Sequence, residues 1–393
     1  MNLATLSLAY LRARPLATAL NLLLLALGIA TITVLLLATR QIEERMQRDA
    51  RGIDLVAGAK GSPMQLILSS VYHVDVPTGN IPLAAAQALA ADRAVKRSIP
   101  LSLGDAFRGF RIVGTTHAYP ALYAAQPAAG RLWKAPMEVV LGADAARETG
   151  LSVGAKFVGA HGLGEGGDAH EQEPYVVVGV LARSDTVIDR LVLTSIESVW
   201  EVHEHGAAGK DADRQITALL IQYASPLAAA LLPRRINSAS TLQAALPAYE
   251  SARLFSMIGV GVEVLRAFGL VLVLVAALSV FIALTNALED RRYDLAVMRM
   301  LGVSRARLLG LLMTEALLLS AAGALAGLAL GHLFTELLGA ALAGARQGRV
   351  TGALWLAEEF WLVALALCAG VLAALIPAWR AYRSDVAPAL AEG

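Results

Sequence analysis

The sequence predicts an α-helical membrane protein with four transmembrane helices and an α+β extracytoplasmic domain of two subdomains inserted between the first and second. Three observations carry this prediction. Of 393 residues, 56% are hydrophobic and only 17% are charged, whereas a soluble domain carries roughly a quarter charged residues. The apolar excess is concentrated in four segments, one near the N-terminus and three in the last third of the chain. Between the first and second lies a stretch of mixed, turn-rich sequence, about 40 to 260.

The four segments are Leu16–Ala38, Ala267–Leu288, Leu308–Gly331 and Phe360–Trp379. Each reaches the roughly 20 residues that a helix needs to cross about 30 Å of hydrocarbon. The first apolar core is long for a secretory signal and precedes no clear small-x-small cleavage site, so it reads as an uncleaved anchor. "ATRQIEERMQRDA" continues the first span as a helix, and "PAYESARLFSMIGVGVEVLRAF" leads into the second from Pro247; the pair reads as a stalk. The expected organisation is therefore 1–50 (amphipathic N-terminus, first span and stalk), 51–246 (outer domain) and 247–393 (stalk and three spans). Within the outer domain, "IPLAAAQALAADR" and "SPLAAALLPRRINS" read as helices and "RQITALLIQYA" as a strand, around an inserted β-rich piece at about 105–195. The polar, glycine-rich stretch 160–173 reads as a loop on that insert. The stretch 54–82 reads either as a surface for a substrate or partner or as a plain strand-loop entry to the domain.

Loop arginines set the orientation. Arg12 and Arg14 precede the first span, five arginines lie between the second and third, and Arg380 and Arg383 follow the fourth. Both termini and the basic loop are expected in the cytoplasm, with the large domain outside. Arg40, Arg45, Arg48 and Arg51 oppose this, but they begin a long translocated segment, which largely escapes the rule. A net charge of +1 gives no case for nucleic acid. One cysteine, Cys368, excludes an intrachain disulfide.

The basic loop, "DRRYDLAVMRMLGVSRARL" at 290–308, sets Arg291, Arg292 and Arg299 among Tyr293, Val297, Met300 and Leu301 at helical spacing. Gly302 suits a helix C-cap and Ser304 an N-cap for the next helix. Two readings stay open from the residues alone: an interfacial helix on lipid headgroups, or a rigid lever feeding the third span. Glu315 is an intramembrane carboxylate and so a functional candidate, or a partner for a polar group near the cytoplasmic edge. Gly323, Gly327 and Gly331 form overlapping G-x-x-x-G steps suited to helix packing.

Catalytic and metal readings are weak. His203 and His205, with His161 and His170, are spaced so that His-x-His on a helix does not share one face, and no metal site is expected. No G-x-S-x-G elbow occurs. No G-x-x-x-x-G-K-[ST] occurs either, and "GAKGSP" lacks its spacing and hydroxyl residue, so the chain is expected to bind no ATP or Mg and to catalyse nothing itself.

The stretch from Arg291 to Gly331, with Asp294, Arg299, Gly302, Glu315 and the spaced glycines, resembles the signature of the FtsX/MacB/LolC family of ABC transporter permeases. Asp294 stands where that family usually has glutamate. Pro377, Ala378, Ala381, Pro388, Ala389 and Leu390 resemble its C-terminal pattern, and Gly114, Gly130, Gly142, Gly150, Gly154, Gly179 and Asp189 resemble its periplasmic core. The resemblance implies a non-catalytic permease subunit in a bacterial inner membrane, moved by a separate cytoplasmic ATP-binding subunit that carries the ATP and Mg. It implies a second permease copy, contact with lipid, and periplasmic or outer-membrane partners. The basic helix would then be an ATPase-coupling helix (Arg291, Arg292, Asp294, Met298, Arg299, Leu301 and Gly302). The function implied is mechanotransmission that exports or extracts a substrate already outside the cytoplasm. The alternative is an FtsX-like complex that regulates a periplasmic partner, such as a cell-wall hydrolase, without transport.

Overall fold

The computed structural model describes residues 3–161, 174–204, 214–344 and 350–383. The chain begins with α1 (Leu3–Ala13) and α2 (Pro15–Asp49). Then come β1 (Leu55–Ala59), α3 (Pro63–Ser70), β2 (Ile81–Pro82), α4 (Leu83–Ala90), β3 (Val95–Phe107), β4 (Phe110–Thr115) and α5 (Ala118–Leu122). Next are β5 (Pro127–Gly130), β6 (Glu138–Leu141), α6 (Ala143–Thr149), β7 (Lys156–Phe157), β8 (Ala160–His161), β9 (Tyr175–Leu181), a 3-10 turn (Val187–Arg190) and β10 (Leu191–Ser195). The remainder is α7 (Ile196–Glu204), β11 (Gln215–Ile216), β12 (Ala218–Tyr223), α8 (Pro226–Ala239), β13 (Leu242–Ala245), α9 (Pro247–Asp290), α10 (Arg292–Met300), α11 (Arg305–Gly344) and α12 (Glu359–Arg383). Among the described residues, four helices are long and apolar enough to cross a membrane: α2, α9, α11 and α12. The chain divides into two compact units, 1–42 with 258–393, and 43–257.

In the first unit, helix contacts are built on small residues. A Cβ on Gly28 would lie 3.0 Å from the carbonyl oxygen of Gly269, so α2 and α9 meet backbone to backbone. Gly370 of α12 makes room for the Ser320 side chain of α11, and a Cβ there would lie 3.3 Å from the Ala316 carbonyl oxygen. Lipid tails are as apolar as leucine, so close packing takes over the role of the hydrophobic effect here. The segment before α12 is tied to three helices: Gln41 of α2 exchanges two hydrogen bonds with the Thr351 backbone, Glu336 of α11 accepts from the Gly352 N–H, and Glu359 of α12 accepts from the Leu356 N–H.

The second unit is built on one mixed sheet in the order β13-β1-β12-β3-β4-β10-β6-β9-β5, with β7 beside β9 and β8 beside β3. The pairs β4–β10 and β6–β9 are parallel; the other neighbours are antiparallel. Alternate residues go to opposite faces. Val56, Leu101, Val113, Leu193 and Leu220 enter one core with α3 and α5 residues such as Leu66 and Tyr119. Leu55, Leu219 and Ile221 enter a second core, and Ile112, Val139, Leu141 and Val192 a third, on the other face. Both faces are covered, which is why these strands read as continuous apolar runs. Ser62 and Ser225 accept from the Gln65 and Ala228 N–H groups, and each is followed by a proline, so α3 and α8 start where their sequences dictate. The 54–82 stretch forms β1, α3 and β2, and puts Leu66, Ile67, Val71 and Tyr72 in the core. The glycine-rich loop read at 160–173 lies beyond residue 161 outside the described residues.

Candidate functional site

The basic loop folds as the sequence spacing suggests. The Gly302 N–H donates to Arg299 O (3.0 Å) and the Val303 N–H to Met298 O (3.1 Å), with Gly302 at φ +93°. That is the two-bond left-handed C-cap in which glycine avoids the Cβ penalty. Ser304 then accepts from the Arg307 N–H through both its hydroxyl and its carbonyl, starting α11. Leu295 and Ala296 of α10 are buried, whereas Tyr293, Met300 and Leu301 are 54%, 62% and 80% exposed. Met298 and Arg299 are half-buried. Arg292 and Asp294 lie on α10; their side chains fall outside the described ones.

Arg291 is not on the exposed edge. It is buried, its guanidinium lies 3.4 Å from the Glu315 carboxylate of α11, and its Cζ sits 3.7 Å from the centre of the Tyr10 ring of α1. Arg291, expected on the coupling helix, has its charge occupied inside the helical unit, joining α1, the start of α10 and α11. The reason is local. Arg291 is the turn residue between α9 and α10, so its side chain is directed back across the bundle rather than along α10. Asp290 beside it is paired with Arg14, at the break between α1 and α2. Glu315, read as either functional or paired, has this partner. Tyr10 carried no signal in the sequence beyond its place on an amphipathic segment.

The glycines of α11 meet α2. Cβ atoms on Gly323, Gly327 and Gly331 would lie 2.7 Å from Leu25, 2.7 Å from Ile29 and 2.6 Å from Thr33 side-chain atoms, and the second would also lie 2.8 Å from the carbonyl oxygen of Ala26. Spacing of four on both helices makes one straight seam. Among the described residues, no group of three or more His, Cys, Asp or Glu could hold a metal ion. His170 and His205 lie outside the described residues, as do the side chains of His161 and His203.

This geometry defines a four-span membrane protein with a large mixed-sheet domain carried between its first and second spans, and a short capped helix before its third. Comparison with known families gives two matches: the MacB-like periplasmic core domain over residues 18–238, and the FtsX-like permease C-terminal domain over residues 266–386. The chain belongs to the FtsX/MacB-type ABC permease family. It is accordingly a membrane protein with a periplasmic domain, of a family served by a cytoplasmic ABC ATPase. Among solved structures, the periplasmic region of MacB from Actinobacillus actinomycetemcomitans is similar at 12% identity, covering 52% of this chain and 95% of that one, with a TM-score of 0.35. The extracellular domain of the ABC-type transporter YknZ from Gram-positive bacteria is similar at 13% identity, covering 49% and 98%, with a TM-score of 0.30. No curated protein matches the chain.

Proposed function

We propose that this chain is the non-catalytic permease subunit of a MacB-like ABC transporter, in which α10 docks on a separate ATPase and passes its ATP-driven movement to the periplasmic domain. ATP and Mg reside on that ATPase. The permease works as a pair of copies in the inner membrane, both termini in the cytoplasm, and it exports or extracts a substrate that is already outside the cytoplasm. The carrying observation is α10 itself: a nine-residue helix, capped by Gly302, anchored at Arg291, with Tyr293, Met300 and Leu301 left exposed. An apolar edge of this kind suits a desolvated anchor in a partner groove. The largely exposed apolar surface of α9, including Val260, Val264, Phe268 and Val271, suits lipid and a second copy.

The test is ATPase retention on the purified permease. Leu301→Asp and Met300→Asp place a charge on the exposed edge without touching the Arg291 anchor, and each should weaken retention by about tenfold or more. Arg307→Glu, exposed on the first turn of α11, should change it little. A headgroup-bound helix predicts that all three variants lose little ATPase and that any loss follows net charge; that result would reject docking through α10.

A further inference from the structure

The parallel pair β4–β10 ends in register at Thr115 and Ser195. Beyond that shared end the two strands lead to opposite faces of the sheet. β4 leads into α5, whose Tyr119 packs in the core with Val113 and Leu193. β10 leads into α7, whose Ile196 and Val202 pack in the cores on the other face. Gly114 permits this: a Cβ there would lie 2.6 Å from Val199 and 3.2 Å from the Ile196 Cα, so α7 can lie only against a bare backbone. Two neighbouring parallel strands whose connections leave to opposite faces open a crevice beyond their carboxyl ends, and in open α/β sheets ligands bind in such crevices.

A third wall closes the crevice. β6 runs antiparallel to β10, so the residues before it, Trp133 to Pro136, arrive at the same edge. That turn is pinned. Arg131 grips the Glu138 carboxylate through two hydrogen bonds of 2.7 and 2.6 Å, and the Lys134 and Ala135 N–H groups donate to the same carboxylate. The Met137 N–H donates to the Ser198 hydroxyl of α7 (2.9 Å), locking the turn to the second wall. His117 Nε2 donates to Trp133 O (2.9 Å), and the two rings meet edge to face at 4.7 Å, locking the turn to the first wall. The space so framed is an open pocket of about 560 Å³ lined by Thr115, Thr116, His117, Trp133–Pro136, Ser195 and Glu197, within the range of small-ligand sites.

Its two charged side chains come from different walls and have opposite signs. Lys134 and Glu197 are both exposed, and among the described residues neither side chain has a hydrogen bond or ion pair. Neither charge serves the packing of the domain, whereas Arg131 and Glu138 next to them are fully engaged. We propose that this switch-point crevice binds a zwitterionic small molecule with separated ends, its carboxylate directed to the Lys134 ammonium and its ammonium to the Glu197 carboxylate. The site uses no residue of α10 and stands independently of ATPase docking.

The full-length chain in lipid nanodiscs tests this by saturation-transfer NMR, with tri-alanine as the probe in three forms: free termini, N-acetylated and C-amidated. The free form should receive saturation, and each capped form should bind about two- to fivefold more weakly, as expected for one solvent-exposed ion pair lost. Lys134→Ala and Glu197→Gln should weaken the free form by the same factor. Amidation should cost nothing further in Lys134→Ala, and acetylation nothing further in Glu197→Gln. Lys60→Ala, an exposed charge outside the crevice, should bind as wild type. Three results would overturn the assignment: no transfer to the free peptide, equal binding of free and capped forms, or a Lys60→Ala loss equal to the Lys134→Ala loss.

Discussion

Replacing Glu315 by leucine should strand the Arg291 guanidinium inside the helical unit. The two side chains are 11% and 6% exposed and 3.4 Å apart. At an effective dielectric of about 20 their attraction is on the order of 5 kcal/mol. Desolvation offsets much of this, so the intact pair adds little net stability over an apolar pair of the same volume. Removing one partner is a different perturbation, because an uncompensated buried charge costs about 3–5 kcal/mol. The Tyr10 ring beneath the guanidinium recovers only about 1–2 kcal/mol. Glu315→Leu and Arg291→Met should therefore each lower the thermal midpoint of the purified full-length chain by several degrees. The double variant should lie well above the sum of the two losses, near or above the weaker single. If the single losses instead add to within about 0.5 kcal/mol, the pair is not an energetic unit and Arg291 must be returned to the docking surface. ATPase retention separates the two roles further: both singles should lose ATPase only in proportion to the fraction unfolded.

Gly327→Leu should destabilise the membrane unit by about 1–3 kcal/mol, because its Cβ would meet Ile29 and the Ala26 carbonyl oxygen, whereas Gly259→Leu, with open space at its Cβ, should be neutral; equal thermal losses would reject the α2–α11 seam. The pH dependence of the periplasmic domain should contain a Glu138 limb: the bidentate Arg131 bond, then the Lys134 and Ala135 N–H groups, hold its carboxyl down from 4.5 to about 2. Since the folded value is depressed, this stabilisation is complete above about pH 4.5 and is lost as pH falls towards 2, so the stability gap between wild type and Glu138→Gln should close over that window. A gap of constant size from pH 7 to 2 would show that Glu138 acts by shape alone.

How much was legible in the sequence depends on the range of the interactions. The four spans, the helical extensions of α2 and α9, and the Gly302 and Ser304 caps depend on hydropathy or on neighbours within five residues, and each is visible in a short window. The inward turn of Arg291 is not. In sequence it is one of five basic residues, and a basic run ordinarily reads as a solvated face; only the packing of Tyr10 and Glu315, 281 and 24 positions away by count along the chain, gives its charge an interior place. The strand order was equally hidden. β4 pairs with β10 some eighty positions later by their residue numbers, and strands buried on both faces carry no alternation to fix a register. The switch-point crevice was therefore out of reach: Lys134 and Glu197 have no local motif, and only the sheet order brings their turns to one edge. The motif glycines fared differently. Gly130, at φ +71° and with a would-be Cβ 2.1 Å from Val178 O, and Gly142, 2.2 Å from Ile188 O, were recognisable as a pattern, and their role is to let strands and turns approach without side chains.

The anchoring of α10 has a mechanical consequence for the proposed function. α10 is held at one end by the Gly302 turn and at the other by Arg291. The Arg291 bond reaches α11 at Glu315, ten residues beyond its first residue, Arg305, or about 15 Å along the axis. A load on the exposed edge of α10 therefore enters α11 at two separated points, and a two-point load tilts a rod where a one-point load would only flex the turn. Tilt of α11 should draw α2 with it, because α11 adds no side chains to the seam from Gly323 to Gly331: Leu25, Ile29 and Thr33 of α2 pack directly on the α11 backbone. α2 is one unbroken helix to Asp49, where the carboxylate accepts the Val187 N–H at 2.7 Å and the carbonyl accepts the Tyr123 hydroxyl at 2.6 Å. On the proposed function, the surface that would receive the load is Tyr293, Met300 and Leu301, all exposed, and that is where a partner of different shape could be accommodated.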